Sequence, residues 1–370
     1  MGGAWRRHAA CCSWSCGTWR KLCRPIPDKR GGLSCNRADD VIPPVAKPPM
    51  RDTGMRAAFV LTVLTGLFAL PAAAETTLRV MSFNIWGGGA NEGKGVDETV
   101  AAIRAAGADV VGLQETRLEP DPCTPTACAA VGVSAASAIA KALGWHVYDQ
   151  TQSNVALWAN AIISRYPIGP ASPNDLGVPL DVDGRTVWLF NIHHDDEPYQ
   201  PYQLLGIEYG PAPFIKTEAE AIRFANETRG PAMDLLAADM KAADGAAAII
   251  VTGDFNEPSG LDWTEAAVAA GQQPVRVNWP TTRRLTDLGF IDAYRAANPD
   301  PVAKPAFTWT PRYDEAAADD HPDRIDFVLV KGEDVTVTDA AIVGEDGPRS
   351  DIKVTPWPSD HRSVVAEIKF

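Results

Sequence analysis

Several common catalytic designs are missing from this 370-residue chain. It has no Gly-x-Ser-x-Gly, which disfavours a serine nucleophile on a strand-to-helix elbow. It has no His-Glu-x-x-His, which disfavours a zinc protease of that type. Neither an internal repeat nor a low-complexity tract is present, so solenoid and disordered classes are set aside. No apolar run reaches the ~20 residues that span a bilayer. The longest candidate is Ala57 to Leu70, which is followed by Pro71 and Ala72-Ala-Ala74 and preceded by Met55-Arg56. A basic start, a short apolar core and a small-residue end read as a secretory signal peptide over 55–74, cut between Ala74 and Glu75. The expected product is secreted or periplasmic, without a stable membrane anchor. Residues 1–54 lack hydrophobic periodicity and read as an upstream extension that is non-native or unstructured.

Cysteine and positive charge are both scarce after residue 74. Five of the seven cysteines lie before Gly54, which leaves Cys123 and Cys128 in Asp-Pro-Cys-Thr-Pro-Thr-Ala-Cys, a loop composition. In an exported chain these two are expected to form a small disulfide loop. A two-cysteine metal site is disfavoured, because no further Cys or His lies close in sequence. The first 74 residues hold 11 of the 34 Lys and Arg and 4 of the 47 Asp and Glu. Residues 75–370 therefore carry 23 basic and 43 acidic side chains, a net charge of −20. Such a surface repels polyanions, which argues against tight sequence-specific nucleic-acid binding. A nuclease is still allowed, with nucleic acid only as substrate, since bound divalent cations can supply local positive charge.

What the chain does have is a repeated pattern: an apolar strand with polar groups at its end. The central example is Ile249-Ile-Val-Thr-Gly-Asp254-Phe-Asn256-Glu-Pro-Ser259, a β-branched run closing in a turn that carries Asp254 and Asn256. Thr77 to Trp86 alternates as a strand and presents Asn84 before three glycines. Asp109 to Glu115 ends in Gln114 and Glu115. Arg185 to His194 ends in Asn191, His193 and His194, followed by Asp195, Asp196 and Glu197. Asn191 and His193 are two apart and share a face; His194 points to the other. Arg324 to Val330 is a strand with Asp326 among apolar residues, which is costly unless the carboxylate is paired. Pro358-Ser-Asp360-His361-Arg362 leads into a final alternating strand from Ser363 to Phe370. Ligands gather at such sheet rims in α/β proteins.

Between these strands the sequence predicts helices over Val96–Ala106, Ser134–Leu143, Thr217–Ala243 (broken at Gly230-Pro231) and Leu261–Ala270. Trp145–Gln150 and Ala159–Ser164 read as strands. Glu197 to Phe214 reads as a long loop, in which Tyr199 and Tyr202 either line a substrate pocket or pack the loop. Trp279 to Arg284 reads as a loop whose Arg284 is either a phosphate contact or a solvated surface group. Phe307 to Pro311 reads as a short strand presenting Trp309. The order of elements suggests an α/β layered fold.

Carboxylate and amide oxygens without thiolates suit a hard cation, Mg2+ or Mn2+. A buried Asp326 can hold an imidazole in the tautomer that takes a proton from water, and a second His with an Asn can stabilise charge on phosphate oxygens. Met-Ser-Phe-Asn84-Ile, Gly-Leu-Gln-Glu115, Phe-Asn191-Ile-His193, Gly-Asp254-Phe-Asn256, Arg-Ile-Asp326-Phe and Ser-Asp360-His361 stand in that order over residues 78–370. Together they resemble the endonuclease/exonuclease/phosphatase superfamily. The resemblance implies a four-layer α/β/β/α sandwich with two packed mixed sheets across 75–370. It implies that Glu115 binds the metal with Asn84 beside it and Asp360 near it. It also implies that His361 is the general base oriented by Asp326, that Asp254 and Asn256 position water and phosphate, and that His193 binds or protonates a phosphate oxygen. Asp195 is a candidate for an additional ligand. Asn191, Tyr199, Tyr202, Arg284 and Trp309 are the substrate-binding candidates. The carboxylate that should steady His193 is not identifiable in Trp145 to Asn160. The expected activity is hydrolysis of an extracellular phosphate ester by a monomeric enzyme. An extracellular non-specific nuclease is the alternative, and a sphingomyelinase-like phospholipid hydrolase the next.

Overall fold

A computed structural model describes residues 75–118, 132–312 and 314–370. All described residues belong to one compact unit within 70–370. The expected signal peptide, the upstream extension and the Cys123–Cys128 disulfide lie outside the described residues. Among the described residues no helix is long and apolar enough to cross a membrane.

In chain order the elements are β1 (Thr77–Asn84), α1 (Asp97–Ala106), β2 (Val110–Gln114), α2 (Ala136–Leu143), β3 (His146–Asp149), β4 (Ala161–Ser164), β5 (Gly177–Val182), β6 (Arg185–His193), α3 (Gln200–Leu205), α4 (Glu218–Asp239), β7 (Ala248–Asp254), α5 (Glu265–Ala269), α6 (Pro280–Asp287), β8 (Ile291–Asp292), α7 (Ala293–Ala297), β9 (Asp326–Lys331), β10 (Thr336–Gly344), β11 (Ile352–Lys353) and β12 (Ser363–Lys369). They form a seven-stranded sheet, β11-β10-β12-β1-β2-β4-β3, and a five-stranded sheet, β5-β6-β7-β9-β8. Both are mixed: β1 runs parallel to β2 and antiparallel to β12, and β7 runs parallel to β6 and antiparallel to β9.

Strand alternation sorts the core into layers. Leu78, Val80, Val110, Leu189, Ile250, Val328 and Val364 fill the space between the sheets. Met81, Phe83 and Val111 face the other way, onto Val100 and Ile103 of α1 and Ile139 of α2. Phe190, Val251 and Leu329 pack on Met233 and Leu236 of α4. The result is a four-layer α/β/β/α sandwich, as expected.

The space between the sheets changes character along its length. Apolar residues at one end give way to Ser82, Gln114, Asn191 and Thr252, all buried. Ser82 Oγ accepts from Gly253 N across the sheets at 2.9 Å. A Cβ on Gly112 would stand 2.0 Å from Thr252 Oγ1 and 2.5 Å from Asn191 Oδ1, so the close approach at this level requires glycine. One step further, at the strand ends, lie Asn84, Glu115, His193, Asp254 and Asp326.

Several local expectations are corrected. The helical region from Thr217 is not broken at Pro231: α4 runs through it, because Ala225, Ala232, Met233 and Leu236 are buried along it and outweigh a proline cost of ~3 kcal/mol. Its start is a capping box, with Thr217 Oγ1 accepting from Glu220 N at 3.2 Å and Glu220 Oε2 accepting from Thr217 N at 3.1 Å. Trp279–Arg284 is not a loop; Pro280 opens α6 from its first position. The long loop after Glu197 contains α3, with Pro201 in its first turn. The helix expected over Leu261–Ala270 is confined to Glu265–Ala269, capped by Thr264. Phe307–Pro311 is not a strand; Trp309 makes single bridges to Asp323 and to His361. The sequence reading had no strand at β5 or β10.

Candidate active site

Five strand ends and one loop converge on a group of carboxylates and imidazoles. Asn84 ends β1, and its amide nitrogen donates to Glu115 Oε1 at 2.7 Å and to Asp254 Oδ2 at 3.1 Å. Its own oxygen accepts from Trp86 N at 3.1 Å, which fixes the amide's orientation. One side chain thus holds two carboxylates from different sheets toward each other. Glu115 (φ 52°) and Asn256 (φ 45°) both have left-handed backbone just past their strands. That conformation is costly for a side-chain-bearing residue and recurs at functional sites. Here it turns Glu115 inward at the end of β2.

His193 ends β6 and lies 3.8 Å from Glu115 Oε1 and 3.7 Å from Asp254 Oδ2 through Nε2. Its Nδ1 faces the Trp158 carbonyl at 3.4 Å. The group that steadies His193 is therefore a backbone oxygen, and the carboxylate sought in Trp145–Asn160 is not what fills that place. His361 lies just before β12. Its Nδ1 meets Asp326 Oδ2 at 2.9 Å, and its Nε2 is 3.6 Å from Asp254 Oδ2. Ser359 fixes this segment, donating to the Asn84 carbonyl at 2.7 Å and accepting from His361 N at 3.0 Å. Thr308 Oγ1 accepts from Ile325 N and Asp326 N at 3.0 and 3.1 Å, locking the start of β9.

The charge balance is one-sided. Asp254, Asp326, His193 and His361 are all less than 5% exposed. Burial pushes the Asp326 carboxyl up to about 6; the neighbouring Asp254 adds to this, and His361 opposes it. Burial pulls His361 down, but Asp326, Asp254 and Asp360 together hold it well above an ordinary histidine. Asp326 Oδ1 is buried with no hydrogen-bond partner. Glu115, His193 and Asp254 present ligand atoms within 4.8 Å of one another, and so do Asp254, Asp326 and His361. Oxygen-rich donors with an uncompensated negative charge fit a hard divalent cation.

The structure brings Asn84, Glu115, His193, Asp254, Asp326 and His361 together. Asn256 is beside them: its N–H donates to Asp254 Oδ1 and its amide nitrogen to the His194 carbonyl, both at 2.9 Å. Asp360 adjoins the group without joining either chelating trio, and burial raises its pKa. Asp195 is likewise outside the trios; it accepts from Glu197 N at 3.3 Å.

Two substrate candidates are corrected. Asn191 is fully buried between the sheets, accepting from Gln114 Nε2 at 2.6 Å and donating to Leu113 O and Ala161 O at 2.8 and 3.1 Å. It ties the sheets together one pleat below His193 and offers no surface to a substrate. Arg284 binds Asp234 at 2.5 Å and the Gly230 carbonyl at 3.3 Å, joining α6 to α4. Of the other candidates, Trp309 lies 5.1 Å from His361, ring centroid to ring centroid, and donates to the buried Tyr202 Oη at 3.3 Å, while Tyr199 is buried and donates to Asp323 Oδ2 at 2.9 Å. The roles of Thr308, Ser359 and the Trp158 carbonyl were missed. Ser359 stood inside the quoted Ser-Asp-His string, whereas a backbone carbonyl leaves no trace in side-chain pattern.

With this geometry in view, a model of the Endonuclease/Exonuclease/phosphatase family matches residues 81–361. An uncharacterized protein of Caenorhabditis elegans is 26% identical over 331 residues, covering 84% of this chain and 97% of its own length. Among solved structures, an endonuclease/exonuclease/phosphatase from Beutenbergia cavernae is similar at 19% identity (TM-score 0.46), covering 80% of this chain and 72% of its own. The 3'-5' exonuclease NExo from Neisseria meningitidis is similar at 16% identity (TM-score 0.46), covering 78% and 98%. TDP2 from Caenorhabditis elegans is similar at 18% identity (TM-score 0.44), covering 79% and 74%.

Proposed function

The chain belongs to the endonuclease/exonuclease/phosphatase family, and from that premise we propose that it is an exported, divalent-metal-dependent hydrolase of an extracellular phosphate ester. The observation that carries the reading is the His361–Asp326 pair facing Asp254. Asp326 accepts the Nδ1 proton at 2.9 Å, so the Nε2 lone pair points toward the carboxylate cluster, where an attacking water can sit. Asp254 orients that water. His193, through Nε2, faces a non-bridging oxygen of the phosphate. Glu115 and Asp254, held toward each other by the Asn84 amide, are the residues that would hold the cation, Mg2+ or Mn2+. The ion, when bound, supplies positive charge for the phosphate oxygens. His361 becomes an effective base once the charge of its three neighbouring carboxylates is offset.

The export reading rests on the signal-peptide pattern of residues 55–74. The net charge of −20 over 75–370 favours a small or neutral-bodied ester over a polynucleotide. The test is parallel hydrolysis of a phosphomonoester, a phosphodiester, plasmid DNA and sphingomyelin with Mg2+, Mn2+ or chelator. His361→Ala is expected to lower turnover by about 10²–10⁴-fold. Turnover that survives both chelator and this substitution would sink the mechanism, and preferred cleavage of DNA would move the substrate to nucleic acid.

A further inference from the structure

A run of aromatic rings, with carboxylates set between them, joins one histidine of the site to the other. It begins at Asp196, three residues beyond His193. Asp196 accepts from the Tyr209 hydroxyl. Tyr209 packs edge-on to Tyr202 with centroids 5.8 Å apart, and Tyr202 packs edge-on to Tyr199 at 4.9 Å. The Tyr202 hydroxyl donates to Asp320, which also accepts from Trp309 Nε1 at 3.2 Å. Trp309 closes the run beside the His361 ring. Tyr199 and Tyr202 are buried and fix the run from behind, while Tyr209 is 39% exposed and carries it to the surface. A group attached to a phosphorus held between His193 and His361 meets this wall on that side.

The wall is electron-rich, and among the described residues Asp195, Asp196 and Asp320 make no direct ion pair with Lys or Arg. Arg312 pairs with Glu92 at 2.9 Å and lies over the Trp86 ring at 4.4 Å. Arg229, buried behind the wall, faces Glu257 at 3.9 Å and meets the charge of Asp195 and Asp196 only at longer range. Nor do the wall's carboxylates form a chelating trio, unlike those of the reaction centre, so the wall is not built for a metal ion. Aromatic faces between separated carboxylates suit a diffuse organic cation, which the ring quadrupole attracts. A hydroxyl that donates to a carboxylate leaves its ring richer in electrons still.

We infer that Asp196, Tyr209, Asp320 and Trp309, backed by the buried Tyr202, form a subsite for an organic cation, so that the ester cleaved here carries an ammonium-bearing group. The inference rests on the phosphoesterase reading above. The reaction remains a hydrolysis: the water oxygen bonds to phosphorus, its proton passes to His361, and the bond from phosphorus to the leaving oxygen breaks, that oxygen departing as the alcohol or its anion.

The test uses the full chain with Mg2+. Hydrolysis of 4-nitrophenyl phosphocholine is compared with that of its neutral carbon isostere, 4-nitrophenyl 3,3-dimethylbutyl phosphate. Calorimetric binding of phosphocholine is compared with that of 3,3-dimethylbutyl phosphate. Both comparisons are expected to favour the cation by at least about tenfold. Asp196→Asn and Asp320→Asn are each expected to bring both ratios severalfold closer to one, a readout that general loss of activity does not move. Ratios of one in the unaltered protein would overturn the subsite and leave the phosphoesterase standing. Preferential binding of the cation without hydrolysis of either diester would keep the subsite and overturn the phosphoesterase. Asp334→Asn, exposed beyond the far end of β9, controls for overall charge. An equal fall there, or ratios unmoved in both wall variants, would remove the assignment to these residues.

Discussion

Arg324 and Asp326 are two residues apart, yet each belongs to a different buried ionic cluster. Arg324 reaches Asp262 at 2.8 Å and Asp292 at 2.7 Å, and Arg295 reaches Asp262 at 2.6 Å. The remaining donors of Arg295 go to the Asn298 and Pro305 carbonyls at 2.9 and 3.2 Å. Two guanidiniums meet two carboxylates, and the charge closes. Asp326 belongs to the other cluster, where the carboxylates of Glu115, Asp254, Asp326 and Asp360 gather around the imidazoles of His193 and His361, with Arg312 acting on Asp360 from the edge. Even with both imidazoles protonated, that cluster stays negative. A complete cluster holds the β9 entry in place; an incomplete one, held by the same segment, can take a cation and hand over a proton. Burial alone therefore does not mark a site, but buried charge left without a counter-charge does.

The largest expected effect breaks the comparison from both sides. Arg324→Met leaves Asp262 and Asp292 with one guanidinium between them and should cost about 3–5 kcal/mol of stability. Asp326→Asn removes a buried negative charge that burial already disfavours. In chelator it should leave stability unchanged or raise it, while turnover falls by about 10²–10⁴-fold. Urea unfolding beside initial rates measures both. If Asp326→Asn destabilises as much as Arg324→Met, the two clusters do not differ in the way described.

Adding the missing charge should have the next largest effect. Mg2+ or Mn2+ at about 100 times its dissociation constant should stabilise the protein by ~2.7 kcal/mol. Glu115→Gln or Asp254→Asn should abolish most of that gain, and Arg324→Met, though unstable, should retain it. Thermal unfolding with and without the ion reads this directly. A gain that survives both carboxylate substitutions would place the ion elsewhere.

The reaction cluster was more legible in the sequence than its surroundings, for a physical reason. Asn84, Glu115, His193, Asp254 and Asp326 each follow or begin an apolar strand, so alternation and position at the strand end locate them together. Asn191 shares the face of His193, which makes it a substrate-contact candidate in the sequence. Alternation gives the face but not the depth, and Asn191 sits one pleat inside, where Gln114 and Gly112 meet it. The long helix through Pro231 and the helix opening at Pro280 were misread because proline signals either a break or a first turn. Only the packing of Ala232, Met233 and Leu236 decides for the first. Asp262 and Asp292 gave no signal at all, since their partners Arg295 and Arg324 are up to 62 residues away.

The smallest effect concerns two histidines that burial treats alike and charge treats differently. His361 is held above its ordinary range by three carboxylates. His321 is mostly buried and pulled down to about 4, with only Asp320 opposing the shift. Asp323 lies 4.0 Å from His321 Nε2, but its oxygens are taken up by the Trp263 Nε1 and Tyr199 Oη donors at 2.8 and 2.9 Å. For His321 the folded pKa lies below the unfolded value of ~6.5. The unfolded chain therefore binds the extra proton first as pH falls. The contribution of the neutral ring to stability is complete above pH ~6.5 and is lost progressively down to about 4. His321→Gln, which cannot titrate, should flatten the stability profile over that window by roughly 1–3 kcal/mol relative to the unaltered protein. Unfolding midpoints at pH 7, 6, 5 and 4 measure the difference. Parallel profiles would mean that His321 finds a counter-charge after all, and the contrast with His361 would then rest on something other than the carboxylates around each ring.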